Sequence, residues 1–524
     1  MKPFKILLYL ISIFILLAVV SFIFPKEGVY LGNNLLLRFP DINYFISQQQ
    51  PNRLTINDIL SDQQLHIKTD SSQFQTTDSF PSSKDSLNLT VPDSLDAKIS
   101  KDSTSATNTT KEAEQTKKPG SIHQLIEYPD NDKSVLYPFF QQLSYLKTTN
   151  ELIRVLHYGD SQIEGDRITS YIRNELQQQF GGSGVGMFPP VLIKGTNISL
   201  QHQLSGSWER YTIKSIQNGN IYHKRLGALM SFGRFAPVYA RSKDMYAGKI
   251  TLKKSNITYK RTRKFKRCRI FYGFNQKPFI AELKHKNQTL DAELIPSSNQ
   301  LQALTWNIDG SLNEITLSFK GEDSPDIYAI AVDGHQGIAV DNIPLRGSSG
   351  TDFTRTDMAF FRSMYQKLNV KLLIMQFGVN LVPHIIDDYS YYEHQFYKQL
   401  KTLKDLRPDI SIIVIGVSDM SRNVMGQYES YPNIIKIRKA QKNAAFKAGC
   451  AFWDMYEAMG GKNSMPAWVN ANPPLARTDF THFTWKGSVI IAKMFYDAFI
   501  NDYYEYLKQN EPLAENKTNE IKKN

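Results

Sequence analysis

Three residues of this sequence have the types and the spacing that nucleophilic catalysis requires. Ser161 follows a mostly apolar run and stands directly after Gly159-Asp160, whereas Asp479 and His482 lie close together near the C-terminus. At that spacing the aspartate can accept a hydrogen bond from one imidazole nitrogen while the other nitrogen faces a nucleophile. Ser161, His482 and Asp479 are therefore predicted to form a Ser-His-Asp triad. Taken singly, an N-cap serine and a surface histidine are the alternative interpretations.

Two further segments contain groups that can donate hydrogen bonds to an oxyanion. Asn380 ends the segment Phe377-Gly378-Val379-Asn380, and its side-chain amide is such a donor. Gly347 lies in a glycine-rich stretch, residues 345–350, whose backbone amides are a second source. Gly337 and Gly350 compete with Gly347 for this role. The sequence thus predicts donors on two separate loops.

The turn that carries the serine is expected to add backbone donors of its own. Gly159 permits a sharp turn after the strand, and the start of the following helix directs free amides, including that of Ser161, toward developing negative charge. Ser161, Gly347 and Asn380 are therefore the predicted oxyanion hole. Gly159, Asp160 and Gly378 are assigned supporting roles.

Two other histidines are alternatives to His482 as the catalytic base. His157 lies in the strand before the serine, where a histidine is more often a hydrogen-bonded core group. His335, in Asp333-Gly334-His335-Gln336-Gly337, is the rival to His482. The choice of His482 is preferred because an aspartate accompanies it.

The elements around these motifs predict an α/β fold. Leu152 to His157, Val370 to Phe377 and Ile410 to Val417 are short, largely apolar runs without regular polar alternation. Such runs are typical of parallel strands that are buried on both faces between helices. Helix-like spacing follows the first run and precedes the other two, at Asp357 to Leu368 and Tyr389 to Leu403. An apolar helix is also expected from Val489 to Ile500.

A region with a different sequence pattern separates the first predicted strand of the α/β domain from the other two. Residues 199–331 contain short alternating strands divided by Asn, Gly, Ser and Asp turns, which indicates an all-β domain, a sandwich or jelly roll, inserted into the α/β domain. The α/β domain is therefore predicted in two parts, residues 122–198 and 332–508, followed by a polar tail at 509–524.

The N-terminal part predicts export from the cytoplasm. Two lysines within residues 1–5 precede an apolar run at 6–24, which is close to the length that a transmembrane helix needs. A cleaved signal peptide is the alternative, although no clear small-x-small cleavage site follows. From about Gln48 to Ser121 the sequence is mostly polar and cannot offset its chain entropy by burial, so residues 25–121 are predicted to be a flexible extracytoplasmic tether.

Cysteine content and charge restrict the partners. Cys268 and Cys450 are the two cysteines of the 524 residues, and their separation predicts two inert buried thiols without a disulfide framework or a zinc site. The formal net charge of +12 is consistent with an anionic partner such as a cell-wall polymer. No nucleic-acid motif accompanies that charge.

In the order of its motifs the sequence resembles the SGNH (GDSL-like) hydrolase superfamily. The matching blocks are Gly159-Asp160-Ser161, Gly347, Gly378 to Asn380, and Asp479 to His482. The likeness is closest to the peptidoglycan O-acetylesterase branch, which shares a glycine-rich segment like residues 181–190 and an inserted β domain like that of carbohydrate-binding modules. The chain departs from the pattern in having Gln162, where leucine is usual, after the nucleophile.

The resemblance implies a flavodoxin-like parallel sheet flanked by helices and a serine esterase that needs no metal or other cofactor. Its expected substrate is an O-acylated glycan of the cell wall or an exported polysaccharide. An O-acyltransferase with a sugar hydroxyl as acceptor and a non-catalytic glycan-binding envelope protein are the alternatives. The expected location is the cell membrane, through one N-terminal helix, with the catalytic part extracytoplasmic, or periplasmic in a Gram-negative cell. Such an anchor also permits a membrane acyl-transfer partner.

Overall fold

The computed structural model describes residues 124–521 except 147, 194, 196 and 239–243, and, earlier in the chain, residues 9, 12–16, 19–20, 29–31, 35–37 and 55–60. The predicted cytoplasmic N-terminus, anchor and tether lie largely outside these residues. None of the helices within the described ranges has the length and hydrophobicity that a bilayer crossing requires. The chain divides into two compact units, Met1–Thr55 and Ile56–Asn524. In the first unit, β1 (Val29–Leu31) and β2 (Leu35–Leu37) form an antiparallel pair.

The second unit contains strands and helices in alternating groups. Its strands are β3 (Ile126–Glu127), β4 (Leu152–Gly159), β5 (Gly186–Phe188), β6 (Leu200–Gly206), β7 (Glu209–Thr212), β8 (Ser231–Arg234), β9 (Tyr246–Lys254), β10 (Arg267–Asn275), β11 (Phe279–His285), β12 (Gln288–Ile295), β13 (Ser298–Asn307), β14 (Glu314–Gly321), β15 (Asp326–Asp333), β16 (Gly337–Pro344), β17 (Val370–Gln376), β18 (Ser411–Ile415), β19 (Ser421–Val424), β20 (Gln427–Ser430) and β21 (Ala451–Trp453). Its helices are α1 (Ile56–Leu60), α2 (Tyr137–Tyr145), α3 (Thr169–Phe180), α4 (Ile213–Gln217), α5 (Met358–Leu368), α6 (Ser390–Leu406), α7 (Ile434–Lys447), α8 (Met455–Ala458), α9 (Ser464–Val469) and α10 (Trp485–Ile521).

The central sheet has the strand order β16-β4-β17-β18-β21-β3. Five of these strands are parallel, and the short edge strand β3 runs antiparallel to β21. Numbered along the chain, the parallel strands follow the order 2-1-3-4-5 of flavodoxin-like folds. The predicted parallel sheet is thus confirmed, with the correction that β3 makes it mixed.

Helices cover both faces of this sheet. All residues of β17 and β18 are buried, which explains why these runs lack polar alternation. Alternate strand residues pack on one side against α2, α3 and α10 and on the other side against α5, α6 and α7. The sheet is therefore the middle layer, and polar side chains can reach solvent only beyond its ends.

Two antiparallel sheets lie between β4 and β16 in the chain. One has the order β13-β10-β15-β8-β7, with β5 also paired to β15, and the other has the order β12-β11-β14-β9-β6. Side chains of both sheets share one apolar core, so the predicted inserted sandwich is present. All of β15 is buried, because its other face packs against the α/β layer. Strands of the sandwich begin before residue 199 and end after residue 331.

Two elements differ from the sequence-based expectation. Strand β16 was not predicted, because Asp341 and Asn342 interrupt its apolar run. Helix α10 continues beyond Ile500 to Ile521, since Tyr503 and Tyr506 pack against Phe140 of α2 and extend the buried face. Both cysteines are buried free thiols, as predicted.

A buried ion network joins the inserted sandwich to the central sheet. The Arg154 guanidinium of β4 donates to both carboxylate oxygens of Asp341 on β16, at 2.6 and 2.8 Å, and also to Asp333 at the end of β15. Arg267 and Arg269 of β10 complete the surroundings of Asp333. Burial alone would raise the pKa of Asp333, but the three arginines outweigh it and lower that pKa. The network therefore holds β4, β16 and two strands of the sandwich in one arrangement.

We expect Arg154→Met to lower the free energy of unfolding by about 3–5 kcal/mol, because it leaves the buried Asp341 carboxylate without its counter-charge. Denaturant titration followed by circular dichroism measures this loss. Lys401→Met is the control, since it removes an exposed pair with Asp405 that is worth about 0.3–0.5 kcal/mol. Equal losses in both variants would contradict a stabilising role of the buried network.

Candidate active site

The end of β4 forces the chain into a sharp turn at Ser161. A side chain at Gly159 would place its Cβ 2.8 Å from the Gln376 carbonyl oxygen of the adjacent strand, so only glycine fits. Ser161–Ile163 then forms a short 3-10 helix. Helix α3 begins only at Thr169, which corrects the expectation that a long helix starts at Ser161. Backbone donors at the serine therefore belong to the turn and not to α3.

Asp160 connects this turn to the loop after β17. Its buried carboxylate accepts hydrogen bonds from the backbone N–H groups of Gln162, at 3.0 Å, and Val379, at 3.3 Å. Burial raises the pKa of Asp160 to about 6, although these hydrogen bonds oppose the rise. The Asp160 side chain thus fixes two loops relative to each other and does not face solvent.

Ser161, His482 and Asp479 form a continuous hydrogen-bonded row. The Ser161 hydroxyl and Nε2 of His482 are 2.8 Å apart, and Nδ1 of His482 lies 2.8 Å from Oδ2 of Asp479. A carboxylate can only accept, so Nδ1 carries the proton and Nε2 is left to accept from the serine. This is the geometry in which a serine hydroxyl can lose its proton as it attacks.

Asp479 is held by its own loop. Its Oδ1 accepts from the backbone N–H groups of Thr481 and His482, both at 2.9 Å. Partial burial raises the pKa of Asp479, but the hydrogen bonds with His482 and Thr481 outweigh it and lower that pKa to about 2. The group is therefore an anion at neutral pH, suited to stabilise a positive charge on the imidazole.

The two predicted donor loops lie on either side of the serine turn. Strand β4 ends at Gly159, whose register partners are Pro344 on one side and Gln376 on the other. The loop with Gly347 follows Pro344, and the loop with Asn380 follows Gln376. Asn380 Nδ2 donates to the Ser348 carbonyl at 2.9 Å, which ties the loops together. A Cβ on Gly378 would lie 2.9 Å from Val417, so this position supports the turn by being small.

Gln162 and Arg167 hold the serine turn against the histidine loop, and sequence reasoning assigned neither of them this role. The buried Gln162 amide donates to the Thr481 carbonyl at 2.6 Å. Arg167 donates to the carbonyls of Ser161, at 2.9 Å, and Phe483, at 3.1 Å. Glutamine in place of the usual leucine thus adds a polar tie between two catalytic segments. The departure itself was the one available signal.

A small hairpin supports the histidine loop from the other side. Tyr428 of β20 stacks on Phe480, with ring centroids 3.4 Å apart and an interplanar angle of 7°. Phe480 has a φ of 53°, a left-handed conformation that costs a non-glycine residue about 1–3 kcal/mol. The backbone N–H of Ser421, in β19 of the hairpin, also donates a hydrogen bond to the Phe480 carbonyl, at 3.1 Å. The hairpin therefore stabilises the strained residue between Asp479 and His482.

Asp419, in the loop after β18, is buried. It accepts hydrogen bonds from the Ser430 hydroxyl, at 2.6 Å, and the Met465 backbone N–H, at 2.8 Å. Burial raises its pKa to about 6. Asp419 therefore fixes the hairpin and α9 from inside, a contact that local sequence does not reveal.

The two other candidate histidines lie away from the reacting groups. His157 is buried between Gln376, at 3.0 Å, and Thr169, at 2.9 Å, and burial lowers its pKa to about 3. His335 is exposed in the turn before β16, which is the amino end of an eight-residue strand. That places it about 25 Å from the edge that carries Ser161. Neither can act as the base for this serine.

We expect His482→Ala to reduce the rate at which a fluorophosphonate labels Ser161 by at least about 1000-fold, because the hydroxyl loses the group that accepts its proton. Asp479→Asn should give a smaller but clear loss through the wrong tautomer. Labelling rates are measured by intact-protein mass spectrometry. His335→Ala is the control and should label at the wild-type rate; a loss there would contradict the assignment of the base.

Tyr428→Ala should slow the same labelling by about 2- to 10-fold, since an aromatic stack of roughly 0.5–1.5 kcal/mol no longer holds Phe480. Tyr391→Ala, which removes an exposed tyrosine of α6, is the matched control. An unchanged rate in Tyr428→Ala would show that the hairpin does not position the histidine loop.

Comparisons with known proteins agree with this architecture. No protein-family model and no curated protein matches the chain. A solved structure described as a peptidoglycan O-acetylesterase in action is 21% identical, covers 70% of this chain and 96% of its own, and superimposes with a TM-score of 0.55. A carbohydrate esterase of family 3 from Talaromyces cellulolyticus, 16% identical, and an acetyl esterase with an acetate ion, 15% identical, each cover 32% of this chain and 72% of their own, with TM-scores of 0.24 and 0.23. The chain therefore has the SGNH/GDSL hydrolase fold.

Proposed function

We propose that this protein is a serine esterase that removes O-acetyl groups from polysaccharide of the cell envelope. The single observation that carries the proposal is the continuous row from Ser161 through His482 to Asp479 at the carboxyl edge of the sheet. The fold it shares with a peptidoglycan O-acetylesterase supports the substrate class. The N-terminal apolar run supports a place at the membrane, with the catalytic unit on the extracytoplasmic side.

In the proposed reaction the Ser161 oxygen attacks the acetyl carbonyl carbon while His482 takes the hydroxyl proton. The new C–O bond produces a tetrahedral oxyanion, which Ser161 and Gly347 N–H groups and the free N–H of the Asn380 amide stabilise. Collapse breaks the bond to the sugar oxygen, and His482 returns its proton to that oxygen. Water then attacks the acetyl carbonyl carbon with His482 again as base; the bond to the Ser161 oxygen breaks, that oxygen takes the proton from His482, and acetate is released.

The hydrogen bond from the Asn380 side-chain amide to Ser348 is consistent with the proposed role of Asn380 as an oxyanion donor. One N–H of the amide donates to the Ser348 carbonyl, which orients the group and leaves the other N–H for a ligand. Asn380 is only partly exposed, so a donor there acts where water is limited. Preorganised donors of this kind cost no reorganisation when charge develops.

Ser161→Ala should abolish acetate release from O-acetylated peptidoglycan and from p-nitrophenyl acetate, because no other nucleophile occupies its position. Acetate is measured enzymatically with the full-length chain, and Ser205→Ala, an exposed serine of β6, serves as the control. A folded wild type that releases no acetate from either substrate would overturn the esterase proposal. Transfer of acetyl to an added glycan in place of its release would instead establish the acyltransferase.

Asn380→Ala should lower kcat by about 100- to 1000-fold with little change in KM, since one oxyanion donor is lost in the transition state. Steady-state kinetics on p-nitrophenyl acetate measure the effect. Asn443→Ala, an exposed asparagine of α7, is the control. An increase in KM with kcat unchanged would instead show that Asn380 contributes to ground-state binding.

A further inference from the structure

A pocket opens beside edge strand β16, between the central sheet and the inserted sandwich. Its walls are mostly apolar and include Phe188, Pro189 and Ile343. Three polar residues, Asn197, Arg210 and Asn342, also line it. The cavity volume is about 30 Å³, which is enough for one small substituent and not for a whole sugar. None of these residues takes part in the proposed chemical steps.

The pocket lies at the same sheet edge as the nucleophile. Pro344, which lines it, is the register partner of Gly159, two residues before Ser161. Strand spacing and chain geometry place Pro344 within about 12 Å of Ser161. On the far wall, Asn197 forms a parallel bridge with Gly165 of the segment that follows the nucleophile. A sugar whose acetyl group is at Ser161 could therefore place a neighbouring substituent in the pocket.

Arg210 brings a positive charge into this pocket without an acidic partner. Its Nε is buried and has no hydrogen-bond partner among the described residues. Burial alone lowers the pKa of its guanidinium, and no carboxylate contributes to that pKa. The adjacent carboxylate of Glu209 is occupied by the Tyr211 hydroxyl. Because a partly buried cation without a counter-charge is costly, an anion that paired with Arg210 would be stabilising.

Two other buried arginines in the described part of the chain are paired with carboxylates, in contrast to Arg210. Arg234, on the strand next to Arg210, donates to Asp326 at 2.7 Å and to Asp323 at 2.6 Å. Arg173 likewise contacts Asp166 through two nitrogens. These two arginines have carboxylate partners and Arg167 has backbone carbonyls, whereas Arg210 has no carboxylate partner among the described residues.

A second residue of the pocket lining, Asn342, also has an unsatisfied donor. The Asn342 Oδ1 accepts from the Thr169 hydroxyl at 2.7 Å, but its Nδ2 is buried without a partner in the described chain. Leaving a buried donor unsatisfied costs about 1–3 kcal/mol. A ligand that brings acceptor oxygens would satisfy both Arg210 and Asn342. The pocket offers hydrogen-bond donors to an incoming group.

We propose that Arg210 and Asn342 bind a carboxylate of the glycan, so that this pocket selects acidic over neutral acetylated sugars. The inference rests on the proposed function and names its substrate class. The planar guanidinium matches the two oxygens of a carboxylate, and one cation within apolar walls suits a singly charged group better than a phosphate. The carboxylate belongs either to the sugar ring, as in a uronic acid, or to an ether substituent, as in muramic acid.

Binding to the full-length Ser161→Ala variant tests this inference independently of catalysis. Calorimetry compares acetylated oligogalacturonate with equally acetylated oligogalactose, which lacks the ring carboxylate. A second pair compares acetylated muramic-acid oligomers with their lactyl amides. We expect the acid of at least one pair to bind about 10- to 100-fold more tightly than its neutral partner. The pair that shows the preference identifies the source of the carboxylate.

Arg210→Met in the same background should remove this preference and leave the binding of the neutral oligosaccharide unchanged. Lys320→Met, which removes an exposed charge from β14, controls for the overall decrease in positive charge and should retain the preference. The melting temperature of the Arg210→Met protein should be equal to or above that of the parent, because an unpaired buried charge is lost. If Arg210 had a structural role, Arg210→Met would instead lower the melting temperature.

Equal binding of acid and neutral sugars in both pairs would overturn the inference, as would a preference that survives Arg210→Met. Failure of the esterase proposal appears separately, as a wild type that binds glycan but releases no acetate. With an active wild type, Arg210→Met should hydrolyse p-nitrophenyl acetate at the parent rate, since that substrate has no carboxylate. If Arg210→Met also lowered the rate of hydrolysis of this neutral ester, Arg210 would support catalysis itself, which would contradict a role in specificity.

Discussion

The buried guanidinium of Arg154 is the interaction on which the arrangement of this molecule depends. It lies near the start of β4, and the same strand ends at the turn that carries Ser161. Asp341 holds it from β16 of the central sheet and Asp333 holds it from β15, so its full set of carboxylate partners is assembled only when the inserted sandwich is in place. The strand that presents the nucleophile is therefore fixed by residues that lie nearly 200 positions away. Such a network gives specificity of arrangement more than net stability.

Strand order explains why the catalytic segments meet. From β4 the chain next enters the sheet at β16 on one side, whereas β17, β18 and β21 are added on the other side. Loops that leave β4 and its two neighbours consequently open a crevice at their carboxyl ends, which is where open α/β sheets bind ligands. The loops with Ser161, Gly347 and Asn380 all leave strands at this edge. His482 reaches it from the segment before α10.

The inserted sandwich also shapes the space beside the nucleophile. One of its sheets packs against the α/β layer, so β15 is buried on both faces despite being antiparallel. At the edge strand β16 this contact leaves a pocket that is lined by Arg210 of the sandwich and Asn342 of the central sheet. Neither domain would form that pocket alone. A substrate bound at Ser161 would thus contact both parts of the chain.

The sequence by itself determined the layered α/β fold, the inserted sandwich and the positions of the motif residues, because apolar patterning and motif order are local properties. Only the tertiary structure decided how the motif segments are held: Gln162 and Arg167 contact carbonyls far along the chain, and Tyr428 supports the strained Phe480. Strand β16 was not predicted for a related reason. Asp341 interrupts the apolar pattern of a buried strand, and only the tertiary structure shows that Arg154 neutralises its charge. Patterns of hydrophobicity record burial, whereas the partner of a buried polar group depends on which distant segments fold together.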